Sequence, residues 1–184
     1  MPTKLIANAV LFQLGWFAAV LGGSSFWLLI PLAVLVVHFT WTSSWAAEGK
    51  LVMTVFFAGA ALDSFLMHLG VFAFPGESDL IPLWLALLWA LLATTLNHCL
   101  AWSRRWWVAA AVGAIAAPGS YVAGAALADV ELPLGLLPSI LILAATWAVV
   151  LPVLHGFAHL YREQYRQRLV AAQQKTAITM DPDE

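Results

Sequence analysis

The sequence predicts an all-α, polytopic membrane protein with six transmembrane helices and both termini on the cytoplasmic side, and three observations predict it. The first is composition: of 184 residues, 62% are hydrophobic and 10% charged, with a mean hydropathy of +0.87, which leaves too few polar residues to clothe a water-soluble globule. The second is that apolar stretches recur along the whole chain, each close to the ~20 residues needed to cross ~30 Å of hydrocarbon. The third is the placement of charge. Lys4, Lys50, the pair Arg104 and Arg105, and the group Arg162, Arg166, Arg168 and Lys175 all fall in segments that this threading puts on one side. The alternate connections hold no base: residues 22–25 are neutral, 75–80 carry Glu77 and Asp79, and 129–133 carry Asp129 and Glu131. This is the positive-inside distribution, and it sets the N-in/C-in orientation.

The spans fall at roughly 5–22, 26–43, 51–73, 81–102, 106–127 and 136–161. The first follows a single lysine and lacks a small-x-small cleavage pattern before the next span, so it reads as a retained helix and not a signal peptide. Tryptophans mark the edges of the others. Trp41, Trp45, Trp102, Trp106 and Trp107 are expected at the cytoplasmic interface and Trp27 and Trp84 at the outer one, while Trp16, Trp89 and Trp147 fall at mid-depth, between helices. In the fifth span Ala109, Gly113 and Ala117 form one row of small residues and Ser120, Gly124 and Ala128 a second. Backbones can approach closely on both sides, which makes this span the expected centre of the bundle. Pro118 removes a backbone donor in mid-membrane and leaves the carbonyl of Ala114 without its helical partner, as Pro31 does for Trp27 and Pro152 for Ala148. Residues 1–161 therefore form the transmembrane domain, and 162–184 a cytoplasmic tail, basic and then acidic, suited to lie along anionic headgroups. The 8 basic and 10 acidic residues give no footprint for nucleic acid, and the single Cys99 excludes a disulfide within the chain.

Polar and aromatic residues inside these apolar segments carry a resemblance. Asn8-Ala-Val-Leu-Phe-Gln-Leu-Gly-Trp16; Leu62-Asp-Ser-Phe-Leu-Met-His-Leu-Gly70 with Phe74-Pro75; Pro82-Leu-Trp-Leu-Ala-Leu-Leu-Trp89 running into Thr95-Leu-Asn-His-Cys-Leu-Ala-Trp102; and Gly113 to Pro118 with Tyr121 and Gly124 together resemble the bacterial membrane family DUF2878. The likeness covers spans one and three to five, in order. It implies a small polytopic protein of the bacterial inner membrane with no assigned catalytic residues. It also implies an association with enzymes that modify fatty-acyl chains, such as cyclopropane-synthase-like ones.

Function is expected where polar groups lie within the membrane. At ~1.5 Å per residue from each span's midpoint, Gln13, Asp63 and Ser64 fall near the bilayer centre, with Tyr121 and His68 roughly 7 to 9 Å towards the outer face. A carboxylate at mid-depth costs ~2.5 to 3.5 kcal/mol on insertion scales, and no base shares the depth of Asp63. It is therefore expected to face protein, protonated or held by donors such as Gln13, Tyr121 or Ser120. Its role is either acid/base and proton-carrying or that of a buried tie between helices.

A second layer holds Asn8, His38, Asn97, His98 and His155, about 6 to 10 Å inside the midplane, with His159 nearer the interface. His155 and His159 share a face at the spacing that lets two imidazoles bind one metal, with His38 or His98 as a third ligand. No carboxylate is expected in that layer to orient an imidazole, so neither a metal nor a cofactor is assigned. Ser64-x-x-x-His68 with His155-x-x-x-His159 is similar to the zinc pattern of seven-helix ceramidase and adiponectin-receptor hydrolases, but helical rise separates the two pairs by roughly 19 Å, against ligand distances of about 2 Å.

The candidate catalytic residues are thus Asp63, His155 and His98, and the candidate substrate-binding residues Gln13, Asn97, Tyr121 and His38. The functional expectation is an enzyme or accessory protein acting on membrane lipid or fatty-acyl chains, with membrane lipids and lipid-modifying enzymes as partners. The alternatives are a small proton-coupled transporter or lipid flippase, and a non-catalytic membrane scaffold.

Overall fold

A computed structural model describes residues 2–76 and 78–180. Glu77 of the expected outer connection, and Asp181, Asp183 and Glu184 at the acidic end of the tail, lie outside the described residues. Six helices dominate: α1 (Pro2–Gly22), α2 (Leu29–Val37), α3 (Trp45–His68), α4 (Leu83–Leu96), α5 (Trp106–Leu127) and α6 (Leu136–Met180). A 3₁₀ turn (Phe26–Leu28) leads into α2, a π-helical turn (His38–Thr42) leads out of it, and a second 3₁₀ turn (Ala101–Ser103) follows α4. α1, α3, α5 and α6 are long and apolar enough to cross a membrane, while Phe26–Thr42 and Leu83–Leu96 are shorter apolar helices. The outward faces are themselves apolar: Phe26, Phe57, Ile115, Leu137 and Val149 are all exposed, while Asp63, Glu48 and His38 are buried. This inversion, with the long apolar helices, is that of a multi-pass membrane protein.

The third helix begins at Trp45, earlier than the expected residue 51. Ser44, in an extended conformation, accepts a hydrogen bond from the Ala47 N–H and caps the helix, and Glu48 lies in its first turn, where the helix dipole favours an acid. A segment read as a charged connection is therefore helical. Glu48 turns into the bundle and Lys50 outwards.

The small-residue rows of the fifth span predict a central helix, but the structure puts α4 at the centre. Trp84 to Leu87, Trp89 to Leu91 and Ala93 to Leu96 are all buried, and α4 touches α1, α2, α3 and α6. Its sequence is apolar on every side, the mark of a helix surrounded by others. α5 packs chiefly on α6 and meets α1 at only a few points. Ala109 and Gly113 of that row are buried, and Gly113 lies so close to the Trp147 carbonyl of α6 that no Cβ would fit. α5 and α6 run on through Pro118 and Pro152 without a break.

Tryptophan divides largely as expected. Trp27, Trp41, Trp45, Trp102, Trp106 and Trp107 are exposed and Trp16, Trp89 and Trp147 buried; Trp84, expected at the outer interface, is buried against Phe74. At one end of the bundle Lys4 Nζ donates to the Trp41 carbonyl. At the other, Ala73 and Glu131 pair as an isolated antiparallel bridge, and Ser139 Oγ donates to the Val71 carbonyl.

Candidate functional site

Three polar arrangements lie inside the bundle. The first centres on Asp63, which is fully buried. Trp89 Nε1 donates to Oδ2 at 2.7 Å and the Tyr121 hydroxyl to Oδ1 at 2.7 Å, so α4 and α5 each supply one donor to α3. Of the expected partners, Tyr121 is present. Gln13 and Ser120 are not, and Ser120 Oγ instead accepts from Trp16 Nε1 at 3.1 Å. Gly59, one turn before Asp63, leaves the space in which Trp89 lies, because a Cβ there would run into the indole. That indole stacks on Trp147 of α6, with ring centroids 4.9 Å apart and planes 14° from parallel.

Beside this network is a cavity of about 390 Å³. Helices α1, α4, α5 and α6 enclose it, and most of its wall is apolar, from Phe12, Leu88, Val112 and Leu151 among others. Polar groups enter at Gln13, Trp16, Trp89, Ser120 and Tyr121, and at Thr95 and Cys99 towards the end of α4. Its size and character are those of a small-molecule site. Asp63 does not line it: the carboxylate stands behind Trp89 and Tyr121 and fixes the two side chains that do.

The second arrangement overturns the expectation of a layer without carboxylates. His38 Nε2 lies 2.7 Å from Glu48 Oε2, and His98 Nε2 lies 3.1 Å from Oε1 and 3.2 Å from Oε2 of the same carboxylate. The two imidazoles meet edge to face at 5.3 Å. His38 comes from the π-helical turn and His98 from the turns that follow α4, so three separate segments converge. The sequence signal for Glu48 is the Ser44 cap three residues before Ala47, which moves the start of the helix and with it the acid.

His155 belongs to the third arrangement, apart from His38 and His98. Its Nε2 lies 2.9 Å from Ser103 Oγ, whose hydroxyl is also 2.9 Å from the Leu100 carbonyl. His159, one turn on, is exposed while His155 is buried. Asn8 joins α1 to the end of α4, donating to the Thr94 carbonyl and accepting from the Cys99 N–H. Asn97 accepts from Arg104 Nη2 at 3.5 Å. Arg104, in the connection between α4 and α5, is held below its ordinary range first by burial and then by Arg162, so two bases from different segments are neighbours at this end. His68 lies 2.7 Å from the Ser64 carbonyl, and Ser64 Oγ accepts from the Ile81 N–H. Ser64 and His68 thus have partners separate from that of His155.

The family model described as Protein of unknown function (DUF2878) matches residues 5–153. No curated protein and no solved structure matches the chain.

Proposed function

Since the chain belongs to the DUF2878 family of proteins of unknown function, which brings no reaction with it, we propose from the geometry that it takes up a membrane lipid and acts on it as an enzyme or accessory protein. The acyl chain enters between α1 and α5 and lies in the cavity, with a polar end at Ser120 and Tyr121, whose oxygens keep hydrogen-bonding capacity beyond their bonds to Trp16 and Asp63. The observation that carries this reading is the cavity of about 390 Å³, apolar along most of its wall with a few polar groups among the lining residues. The transporter reading has less support, because α5 is unbroken at Pro118 and Asp63 does not line the cavity. Full-length protein purified in mild detergent is expected to retain lipid, read by mass spectrometry of the extract. Ala117→Phe places a ring in the cavity and should lower that retention roughly tenfold, the effect of ~1.4 kcal/mol of lost affinity. Wild-type protein free of lipid, or an Ala117→Phe protein that retains as much, would refute the reading.

In this reading all six apolar segments cross the bacterial inner membrane, the shorter ones included, with both termini cytoplasmic. The one-sided distribution of lysine and arginine supports it. Cysteines replacing Asp79 and Glu131 should react with an impermeant maleimide from outside intact spheroplasts, and those replacing Arg105 and Gln174 only after lysis. All four native side chains are exposed. Reaction of the Arg105→Cys protein from outside would reverse the threading.

A further inference from the structure

We propose that His38, Glu48 and His98 form a binding site for one transition-metal ion of the zinc or iron(II) class. The inference goes beyond the lipid reading and stands without it. Each residue offers a ligand atom, and the three lie within 4.8 Å of one another. Two ligands bound to one tetrahedral ion at ~2.0–2.1 Å are about 3.3 Å apart, and the nitrogen-to-oxygen separations here are 2.7, 3.1 and 3.2 Å. Easing the imidazoles slightly off the carboxylate, and drawing their two Nε2 atoms, which lie within 4.8 Å of each other, to that spacing, admits the ion. Two imidazoles and one carboxylate suit zinc or iron(II) and disfavour magnesium and calcium, which prefer oxygen throughout, and three protein ligands leave a further position open.

Three further features fit a metal. The site is shielded, with His38 2% and Glu48 6% exposed, so an ion here would be largely removed from water. His38 is delivered by a π-helical turn, in which the Ser43 N–H reaches back to the His38 carbonyl at 2.8 Å; such turns are rare, and frequent at functional sites. Coordination through Nε2 leaves the ring proton of His38 on Nδ1. That nitrogen is buried and has no partner among the described residues, so the hydrogen bond to Glu48 is the only one fixing the ring, and Nε2 is free to exchange it for a metal.

The test uses the full-length protein in detergent, stripped with a chelator and then exposed separately to zinc, iron(II) and cobalt(II), with bound metal measured by mass spectrometry after desalting. About one ion per chain is expected, and cobalt should give the visible absorption of a four-coordinate site. Glu48→Gln and His98→Ala should each weaken binding about 100-fold or more, since loss of a mere supporting group costs 10–100-fold. His159→Ala, on an exposed histidine, should bind as the wild type does. Circular dichroism identifies any variant that fails to fold, and the wild-type stoichiometry decides the matter if both do. Wild-type protein holding no metal after all three exposures, or folded Glu48→Gln and His98→Ala proteins that bind unchanged, would overturn the site and leave a hydrogen-bonded carboxylate–imidazole cluster. Metal content is read whether or not lipid is retained, so this proposal and the lipid reading fail separately.

Discussion

Asp63→Leu should destabilise the bundle by about 2–4 kcal/mol. The substitution strands two donors, the buried Trp89 Nε1 and the half-buried Tyr121 hydroxyl, each now 2.7 Å from a carboxylate oxygen. A buried donor left without its acceptor costs about 1–3 kcal/mol, and membrane helices fall towards the lower end because the separated helices find other partners. Asp63→Asn should cost about 1 kcal/mol or less. Its amide oxygen can accept from the Trp89 indole, and its amide nitrogen can donate to the Tyr121 hydroxyl, which serves in either role. Denaturation in mixed micelles measures both. Equal costs for Leu and Asn would show that the network does not tie α3 to α4 and α5. Full function in Asp63→Asn would rule out a proton-carrying carboxyl, and loss of function with the fold intact would support one.

The other large effect is expected at Gly113. A Cβ there would run into the carbonyl oxygen of Trp147 and lie 3.2 Å from Leu151 Cβ. Neither is the far end of a flexible side chain, so α5 and α6 must separate, and Gly113→Ala should cost about 3 kcal/mol or more, at or above the upper range for overpacking. The displacement would spread, because Trp147 stacks on Trp89 and Trp89 holds Asp63. Gly119→Ala and Gly124→Ala are the controls: a Cβ at either meets nothing within 4 Å, so both should stay within about 0.5 kcal/mol. Thermal unfolding of the three variants checks the difference. A Gly113→Ala protein as stable as Gly119→Ala would mean that the two helices are not held at this distance.

What the sequence made legible follows from what hydropathy and helical rise encode. Apolar length located α1, α5 and the start of α6, and the cost of a buried carboxylate marked Asp63 as inward-facing with Tyr121 among its donors. Depth along a helix is not azimuth, and that is why other parts escaped. By depth alone Trp89 packs between helices, and nothing in one dimension says that its N–H points at Asp63. His155 has the depth of His38 and His98 yet faces Ser103. The rows of small residues in α5 mark a close neighbour, α6, without making α5 central. Glu48 escapes a reading by hydropathy because its charge looks like the end of a span, whereas the Ser44 cap starts the helix before it. The brief echo of His38-Phe-Thr-Trp41 in His98-Cys-Leu-Ala-Trp102, too short to indicate a repeat, holds the two histidines that meet on that acid.

Helix α6 continues through 45 residues. At ~1.5 Å per residue that is roughly 68 Å, about twice the ~30 Å of hydrocarbon, so a long stretch emerges from the bilayer as a stiff rod. Contacts such as Glu163 with Arg166 and Gln167 brace its surface from one turn to the next. The rod therefore has a fixed phase relative to the bundle: each added residue between Tyr161 and the tail would turn the distal face by about 100°, whereas removing seven would lower it by ~10 Å and nearly restore its bearing. Anything that docks on the distal turns meets a surface whose height and compass direction are set by the packing of His155 and Trp147 inside the membrane.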